Sequence, residues 1–341
     1  MTNWTTSVII ATLNSEKTLE RCLQSVIPYV KRGYVKEIII VDGGSKDNTI
    51  AIAKRFPTKL MQDTGSGVGQ AWDLGARHAT GDFLFFLDSD QCLGYDFFPK
   101  VYHFFKKEEV GVLGCASKVV VTNKITATAS QWPRWYGAQA VLHMKQLFVE
   151  GHRYGPGGLL FIRRSAFNAV NGWSGLSNLT ISKVPDIAIS EKIKRNGWET
   201  ANPETGGYWL QAPLYEFYRE SPKTLIKQQF LYGMSAAGFH YEVARDLKLG
   251  PLFVLIRLFS FPMSLILALR YRNVLHILLD WPPRIAWVFG FLAGLHALRK
   301  ITYYSPKNNQ KGSVTEFDYR SQTDPRVEAK WISEEGKSGE N

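Results

Sequence analysis

Residues 82–90 read DFLFFLDSD, an unbroken apolar run closed by two carboxylates one residue apart. Apolar residues without alternation predict a strand buried on both faces, and such strands belong to parallel sheets covered by helices. Two stretches upstream share the pattern. SVIIA (7–11) runs into TLNSE, and EIIIV (37–41) runs into DGGSKDNT, so each apolar run ends among small and polar residues. Leu60–Gln62 reads as a further short strand. Helical periodicities fill the gaps. Leu19, Cys22, Leu23, Val26 and Ile27 recur at i, i+3, i+4 behind a candidate cap at Asn14-Ser15, a second helix follows from about Thr49 to Arg55, and Gln70–Ala79 reads as a third. Strands alternating with helices predict an α/β fold: a Rossmann-like, mostly parallel sheet with helices on both faces. Ligands of such sheets bind beyond the strand carboxyl ends.

The composition bounds the answer without choosing it. A chain of 341 residues, 45% hydrophobic, holds one large domain or two ordinary ones, which excludes wholesale disorder and collagen-like repeats. Cys22, Cys92 and Cys115 are an odd number without zinc-like spacing, so neither a disulfide framework nor a zinc site is expected. Lys and Arg total 41 against 30 for Asp and Glu, and the net charge of +11 predicts an anionic partner. The basic residues form no block of the kind that grips nucleic acid. They are spread around apolar stretches in the second half, which points to a phosphorylated substrate or an anionic membrane surface and to no nucleic acid. The opening residues carry neither a basic n-region nor an apolar h-region, so the amino-terminal part is expected in the cytosol.

Further along, Gly155–Gly158 precedes an apolar run at 159–162, and Ile187–Gly197 predicts a short helix stopped by glycine. After about Lys223 the character changes. Residues 249–269, LGPLFVLIRLFSFPMSLILAL, are mostly apolar and of the roughly 20-residue length that crosses a bilayer. A second apolar region, Val274–Leu298, is interrupted by Asp280-Trp281-Pro282-Pro283-Arg284. Ahead of a soluble buried core, these regions read as a two-pass hairpin or, given Arg257 and Pro262 inside the first and Arg270 and Arg272 after it, as interfacial or re-entrant helices. Either arrangement tethers the chain to the cytosolic face of a membrane. Residues beyond Lys300 read as a poorly ordered polar tail.

Asp88 and Asp90, spaced i, i+2 after a buried strand, can offer oxygens to one hard divalent cation, Mn²⁺ or Mg²⁺, with diphosphate oxygens completing its shell. The alternative is an ordinary turn. Asp42 can accept hydrogen bonds from a nucleotide base or ribose, and the following glycines admit a ligand close to the backbone. Here the alternative is a strand-to-helix turn with Asp47 or Asn48 as the helix cap. No G-x-x-x-x-G-K-[ST] occurs, and the glycines at 65–69 read as a turn rather than a dinucleotide fingerprint.

Taken in order, SVIIATLNSEKTLERCLQSV (7–26), EIIIVDGGSKDNT (37–49) and GVGQAWDLGARHATGDFLFFLDSD (67–90) resemble the nucleotide-sugar-binding half of family 2 glycosyltransferases with the GT-A fold. The similarity continues through GPGGLLFIRRSAFNAVNGW (155–173) and PDIAISEKIKRNGW (185–198). It implies a catalytic domain at 1–220, with a nucleotide-sugar half at 7–91 and an acceptor half at 92–220. Amphipathic and transmembrane or interfacial helices at 221–300 and the tail at 301–341 follow. The donor contacts it implies are Ala11, Thr12, Asn14, Glu16, Asp42, Asp73, Asp88, Ser89, Asp90, Gly157, Gly158 and Arg219. Asp88 and Asp90 take the cation, and Asp186 takes the general base. The sequence departs from the family pattern at Ala11 (usually Pro), Gly43 and Gln91 (often Asp), Asp73 (commonly Asn) and Pro185 (usually Glu).

Glu191 is the second candidate base, and Asp186 has an alternative reading as a helix cap. His143, His152 and His240 read as packing or surface residues. Trp173, Trp198 and the QWPRWY stretch at 131–136 are candidates for stacking on sugar rings. Arg219, Lys223 and Lys227 suit either a leaving diphosphate or lipid headgroups. The resemblance implies an inverting, metal-dependent transferase. Its donor is a nucleoside-diphosphate-sugar, and its acceptor a lipid or lipid-linked saccharide at the cytosolic membrane face. The alternatives are transfer to a polyprenyl phosphate, and a membrane-anchored nucleotide or glycan binder without catalysis.

Overall fold

The computed structural model describes residues 4–63, 67–120, 160–181, 185–200, 210–217, 222–244, 254–255, 265, 269, 281–300 and 314–316. Its strands are β1 (Thr6–Thr12), β2 (Val35–Asp42), β3 (Thr58–Gln62), β4 (Phe83–Phe86), β5 (Gln91–Leu93), β6 (Val110–Val120), β7 (Leu160–Arg163), β8 (Glu199–Thr200), β9 (Leu210–Phe217) and β10 (Val314–Glu316). Its α-helices among these residues are α1 (Leu19–Lys31), α2 (Thr49–Ala53), α3 (Val68–His78), α4 (Phe97–Phe104), α5 (Arg164–Ala169), α6 (Asn178–Ile181), α7 (Pro185–Arg195), α8 (Pro222–Phe239) and α9 (Trp281–Ala297).

The apolar runs become strands because both of their faces are needed. Side chains alternate along a strand, and here parity sorts them into two cores. Val8, Ile10, Ile38, Ile40, Phe83 and Phe85 pack with Cys22, Leu23 and Val26 of α1 and Phe97 and Val101 of α4. Ile9, Ile39, Val41, Leu84 and Phe86 pack on the other side with Trp72 and Ala76 of α3 and Ile189 and Ile193 of α7. A continuous apolar run is therefore what a central strand with helices on both sides requires.

Strands β3-β2-β1-β4 are parallel, as the alternation predicts. The sheet is mostly parallel, as expected, and beyond β4 it takes in antiparallel pairs as well. β7 pairs antiparallel with β4, β6 antiparallel with β7, β9 parallel with β6, and β5 antiparallel with β9. An apolar run specifies burial and leaves direction open. Of the residues after Lys300 only 314–316 are described, and Val314–Glu316 form β10, antiparallel to β3 at the sheet edge. Asn14-Ser15 is not the helix cap. Thr18 holds that position, while the Ser15 carbonyl accepts from the Thr18 and Leu19 amides.

In the carboxyl-terminal part, the WPP stretch read as an interruption is the first turn of α9, where proline's missing N–H costs nothing. α8 and α9 approach until backbone meets backbone. A Cβ at Gly233 would strike the Trp287 carbonyl, and one at Gly290 would strike the Phe230 carbonyl. No helix among the described residues is long and apolar enough to cross a membrane, and most of 248–270 lies outside them. Contacts also cross the expected domain boundary at 220. Glu242, in the π-helical turn His240–Ala244 after α8, accepts from the Ser177 amide and the Thr180 hydroxyl (3.0 and 2.7 Å). His240 is a packing residue, edge-on to Phe239 and Phe291.

At the opposite end of the sheet from the strand carboxyl ends, Glu37 lies buried against Lys59 (2.8 Å), the Ser7 hydroxyl (2.6 Å) and the Thr80 amide and hydroxyl. Burial pushes its carboxyl up, but these donors outweigh that and hold it at about 2, against 4.5 ordinarily. Because the folded value is the lower one, the unfolded chain takes up the proton first. The stabilisation is therefore full above pH 4.5 and lost as pH falls through about 2. Glu37→Gln should cost about 1–3 kcal/mol at pH 7. In urea titrations its deficit against wild type should shrink steadily as the pH is lowered from the ordinary carboxylate range.

Candidate active site

Three loops leave the carboxyl ends of β1, β2 and β4 side by side. The register pairs Thr12 with Asp42 and Ile9 with Phe86, so residues 13–16, 43–48 and 87–90 emerge along one edge. Hydrogen bonds between them replace those that a ladder would give. The Asn14 amide donates to Ser45 Oγ (2.8 Å), and Asn14 Oδ1 accepts from the Lys46 amide (2.9 Å), with Asn14 held at a left-handed φ of 53°. Glu16 Oε2 accepts from the amide and side chain of Asn48 (3.1 and 3.0 Å), and the Glu16 amide donates to Asp47 (3.1 Å). Asp47 also accepts from the Thr49 amide at the start of α2, beside the cap residue Asn48, which agrees with its reading as a turn residue.

Asp42 has a different task from the one expected. It is 1% exposed, and its two oxygens accept from the Gly44 and Ser45 amides, the Ser45 hydroxyl and the Thr12 hydroxyl, at 2.5–3.0 Å. Four accepted bonds occupy a carboxylate's lone pairs. Asp42 therefore shapes the β2 loop. Thr12 spends its hydroxyl on Asp42, and Ala11 packs against the core.

The Asp88-Ser89-Asp90 turn is built differently. Both carboxylates are half-buried, while the turn's backbone is pinned from behind. The Asp88 amide donates to Gln91 Oε1 (3.0 Å), its carbonyl accepts from the Gln91 amide (3.0 Å), and Cys22 Sγ donates to the same carbonyl (3.7 Å). Gln91 is thus a brace where a third carboxylate is frequent. Cys22 and Cys92 are free and buried, and burial pushes both thiols up, Cys92 to about 11, so they are packing groups rather than nucleophiles. Ser15 Oγ and Ser89 Oγ lie 2.9 Å apart, joining the first loop to this turn. Sequence reasoning missed that bond, because residues 74 positions apart carry no local signal.

Two carboxylates at i, i+2 suit a hard cation. No group of three or more His, Cys, Asp and Glu that could hold a metal occurs among the described residues. A pair leaves the remaining octahedral positions to water and ligand phosphates, the usual arrangement for Mg²⁺ with nucleotides.

Asp186 is 7% exposed in the first turn of α7, at the positive end of the helix dipole. Glu191, the other candidate, is buried and paired with Arg195 (2.8 Å). Asp73 does not join the site loops: it is fully buried, pairs with Arg77 (2.6 Å) and accepts from the Trp173 amide (3.2 Å). Trp173, a candidate for sugar stacking, is completely buried in the second core. Burial lowers the Lys192 ammonium to about 8, partly offset by Asp73, and it donates to the Gly172 and Ser174 carbonyls. Gly157, Gly158 and Arg219, with His143, His152 and residues 131–136, lie outside the described residues.

Residues 7–170 match the family model described as Glycosyl transferase family 2. A PGL/p-HBAD biosynthesis glycosyltransferase of Mycobacterium bovis is 39% identical over 93 residues, 26% of this chain and 36% of that protein. The match to that relative therefore spans about a third of its length. EpsE of Bacillus subtilis is 24% identical over 251 residues, 71% of this chain and 83% of that one. A mannosyltransferase of Pyrobaculum calidifontis, solved with GDP-Man and Mn²⁺, is 16% identical with a TM-score of 0.56, covering 84% of this chain and 86% of that chain. At that identity the likeness is one of fold. Residues 7–170, with their parallel strands, braced loops and carboxylate pair, are thus similar to glycosyl transferase family 2, and the chain shares its fold with that transferase.

Proposed function

We propose that the chain is an inverting, divalent-cation-dependent glycosyltransferase, moving a hexose from a nucleoside-diphosphate-sugar to a lipid or lipid-linked saccharide at the cytosolic face of a membrane. The observation that carries the reading is the Asp88-Ser89-Asp90 turn, two half-buried aspartates spaced i, i+2 at the sheet's carboxyl edge on a backbone tied down by Gln91 and Cys22. The β1 and β2 loops bind and orient the nucleotide, their backbone held by the cross-loop hydrogen bonds. A cation held by Asp88 and Asp90 would neutralise charge on the departing diphosphate. Asp186 accepts the acceptor's hydroxyl proton as that oxygen forms its bond to the anomeric carbon. The bond to the diphosphate oxygen breaks with its electron pair, and configuration inverts at one in-line displacement.

Asp186→Asn keeps the shape and cannot take a proton, so turnover should fall about 10²–10⁴-fold with little change in donor affinity. Asp88→Asn should instead weaken Mn²⁺-dependent donor binding. Radiolabelled transfer assays and calorimetric donor titrations on the full chain separate the two effects. Full turnover in Asp186→Asn with loss in Glu191→Gln would move the base to Glu191. Donor binding without any hydrolysis or transfer in the wild type would favour the catalytically inactive binder.

The lipid acceptor rests on α9. Ile285, Phe289 and Leu292, spaced i, i+4, i+7, are 40%, 62% and 50% exposed, and Arg299 and Lys300 follow. Such a stripe with a basic end suits a helix lying in the headgroup region of an anionic bilayer. Replacing all three by Ser removes about 1.5–3 kcal/mol of apolar burial per site. Flotation of the full chain with phosphatidylglycerol vesicles should drop at least tenfold, while Mn²⁺–nucleotide binding persists. Wild-type protein that stays at the bottom of the gradient would return the acceptor to soluble glycans.

A further inference from the structure

We infer that Trp173 is a positioning residue that holds the peptide carrying Asp186 in register with the strand carrying Asp88 and Asp90. The inference rests on Asp186 being the base. Trp173 is completely buried, and its Nε1–H donates to the carbonyl of Pro185, the residue immediately before Asp186, at 2.7 Å. The same ring meets Phe86 edge-on, centroids 5.3 Å apart. Phe86 is the last residue of β4, two before Asp88. One side chain thus touches the residue leading into the base helix and the strand leading into the carboxylate turn. Phenylalanine would fill the core, but only an indole supplies a donor at that edge.

The segment bearing Trp173 is itself held from both sides. Its amide donates to Asp73, whose partner Arg77 also donates to the side chain and carbonyl of Asn171 (3.2 and 3.3 Å). From α7, Lys192 donates to the carbonyls on either side of Trp173, Gly172 and Ser174, at 2.8 and 2.7 Å. Phe167 closes on the indole at 5.5 Å. This anchoring is denser than filling the core requires: a segment fastened to α3 and α7 and bonded to the peptide before Asp186 transmits their positions to its carboxylate. It also accounts for Asp73. The carboxylate expected to touch the donor instead fixes the Trp173 amide.

Catalytic groups lose activity steeply when misplaced by an ångström. The test uses the full-length protein and the UDP- or GDP-sugar that the wild type turns over, read as nucleoside diphosphate released. Trp173→Phe removes the N–H and keeps a ring against Phe86. Replacing Trp173 by benzothienylalanine keeps the ring's shape and removes only the donor, which guards against a folding defect in the first variant. Both should lower kcat about 10–100-fold, with donor KM and Mn²⁺ affinity within about twofold of wild type, a split that a general loss of packing would not give. Trp173→Phe should add nothing to the loss in Asp186→Asn. Unchanged kcat in both variants, or losses that add to Asp186→Asn, would overturn the positioning role while leaving the base in place. Full turnover in Asp186→Asn would instead remove the base on which the inference stands.

Discussion

Parallel pairing of β1 with β2 on one side and β4 on the other is the constraint from which the site follows. Register places Thr12 beside Asp42, and the Leu87 amide on the Ile9 carbonyl at 3.0 Å, so three chain reversals crowd along one edge. Most of the bonds that join these loops lie at an exposed rim, so they orient the backbone rather than rescue buried groups. Here the neighbours serve as partners: Asn14 with Ser45 and Lys46, Glu16 with Asn48, Ser15 with Ser89. These bonds lie within the chain and hold the three loops to one another, and fixed donors and dipoles are what stabilise a charged transition state.

The parts legible in the sequence were those with local causes. SVIIA, EIIIV and FLFFL became strands because each feeds two cores, and the helix between 68 and 78 follows from its apolar spacing and the glycines before it. The Asp88-Ser89-Asp90 turn was legible as chemistry because its carboxylates follow a buried strand. Asp42 was legible as a position and not as a role, since nothing local shows that Thr12 and Ser45 would take up its lone pairs. Strand direction beyond β4, the pairing of Val314–Glu316 with Lys59–Met61, and the indole bond from Trp173 to Pro185 are long-range facts. Periodicity carries none of them. The Trp-Pro-Pro stretch misled for another reason: proline breaks a helix interior and suits a first turn, and only the fold says which applies.

The carboxyl-terminal helices pack against the residues on the other side of position 220. α8 reaches α6 through Glu242 and is locked to α9 at Gly233 and Gly290, so a cut between them exposes the faces each buries. In the proposed function this connection has a use. A helix resting in the headgroup layer, packed on α8 and tied through Glu242 to Thr180 of α6, would hold a lipid-borne hydroxyl close to the part of the fold that carries Asp186.

The central claim is that the edge of the parallel sheet binds a nucleoside diphosphate through a cation at Asp88 and Asp90. Isothermal titration of the full-length protein with UDP, GDP, CDP, ADP and dTDP, each in Mn²⁺ and again in EDTA, tests it directly. At least one of these nucleotides should bind saturably in Mn²⁺ and cease to bind in EDTA. Binding of equal strength in EDTA, or none to any of the five, would contradict it.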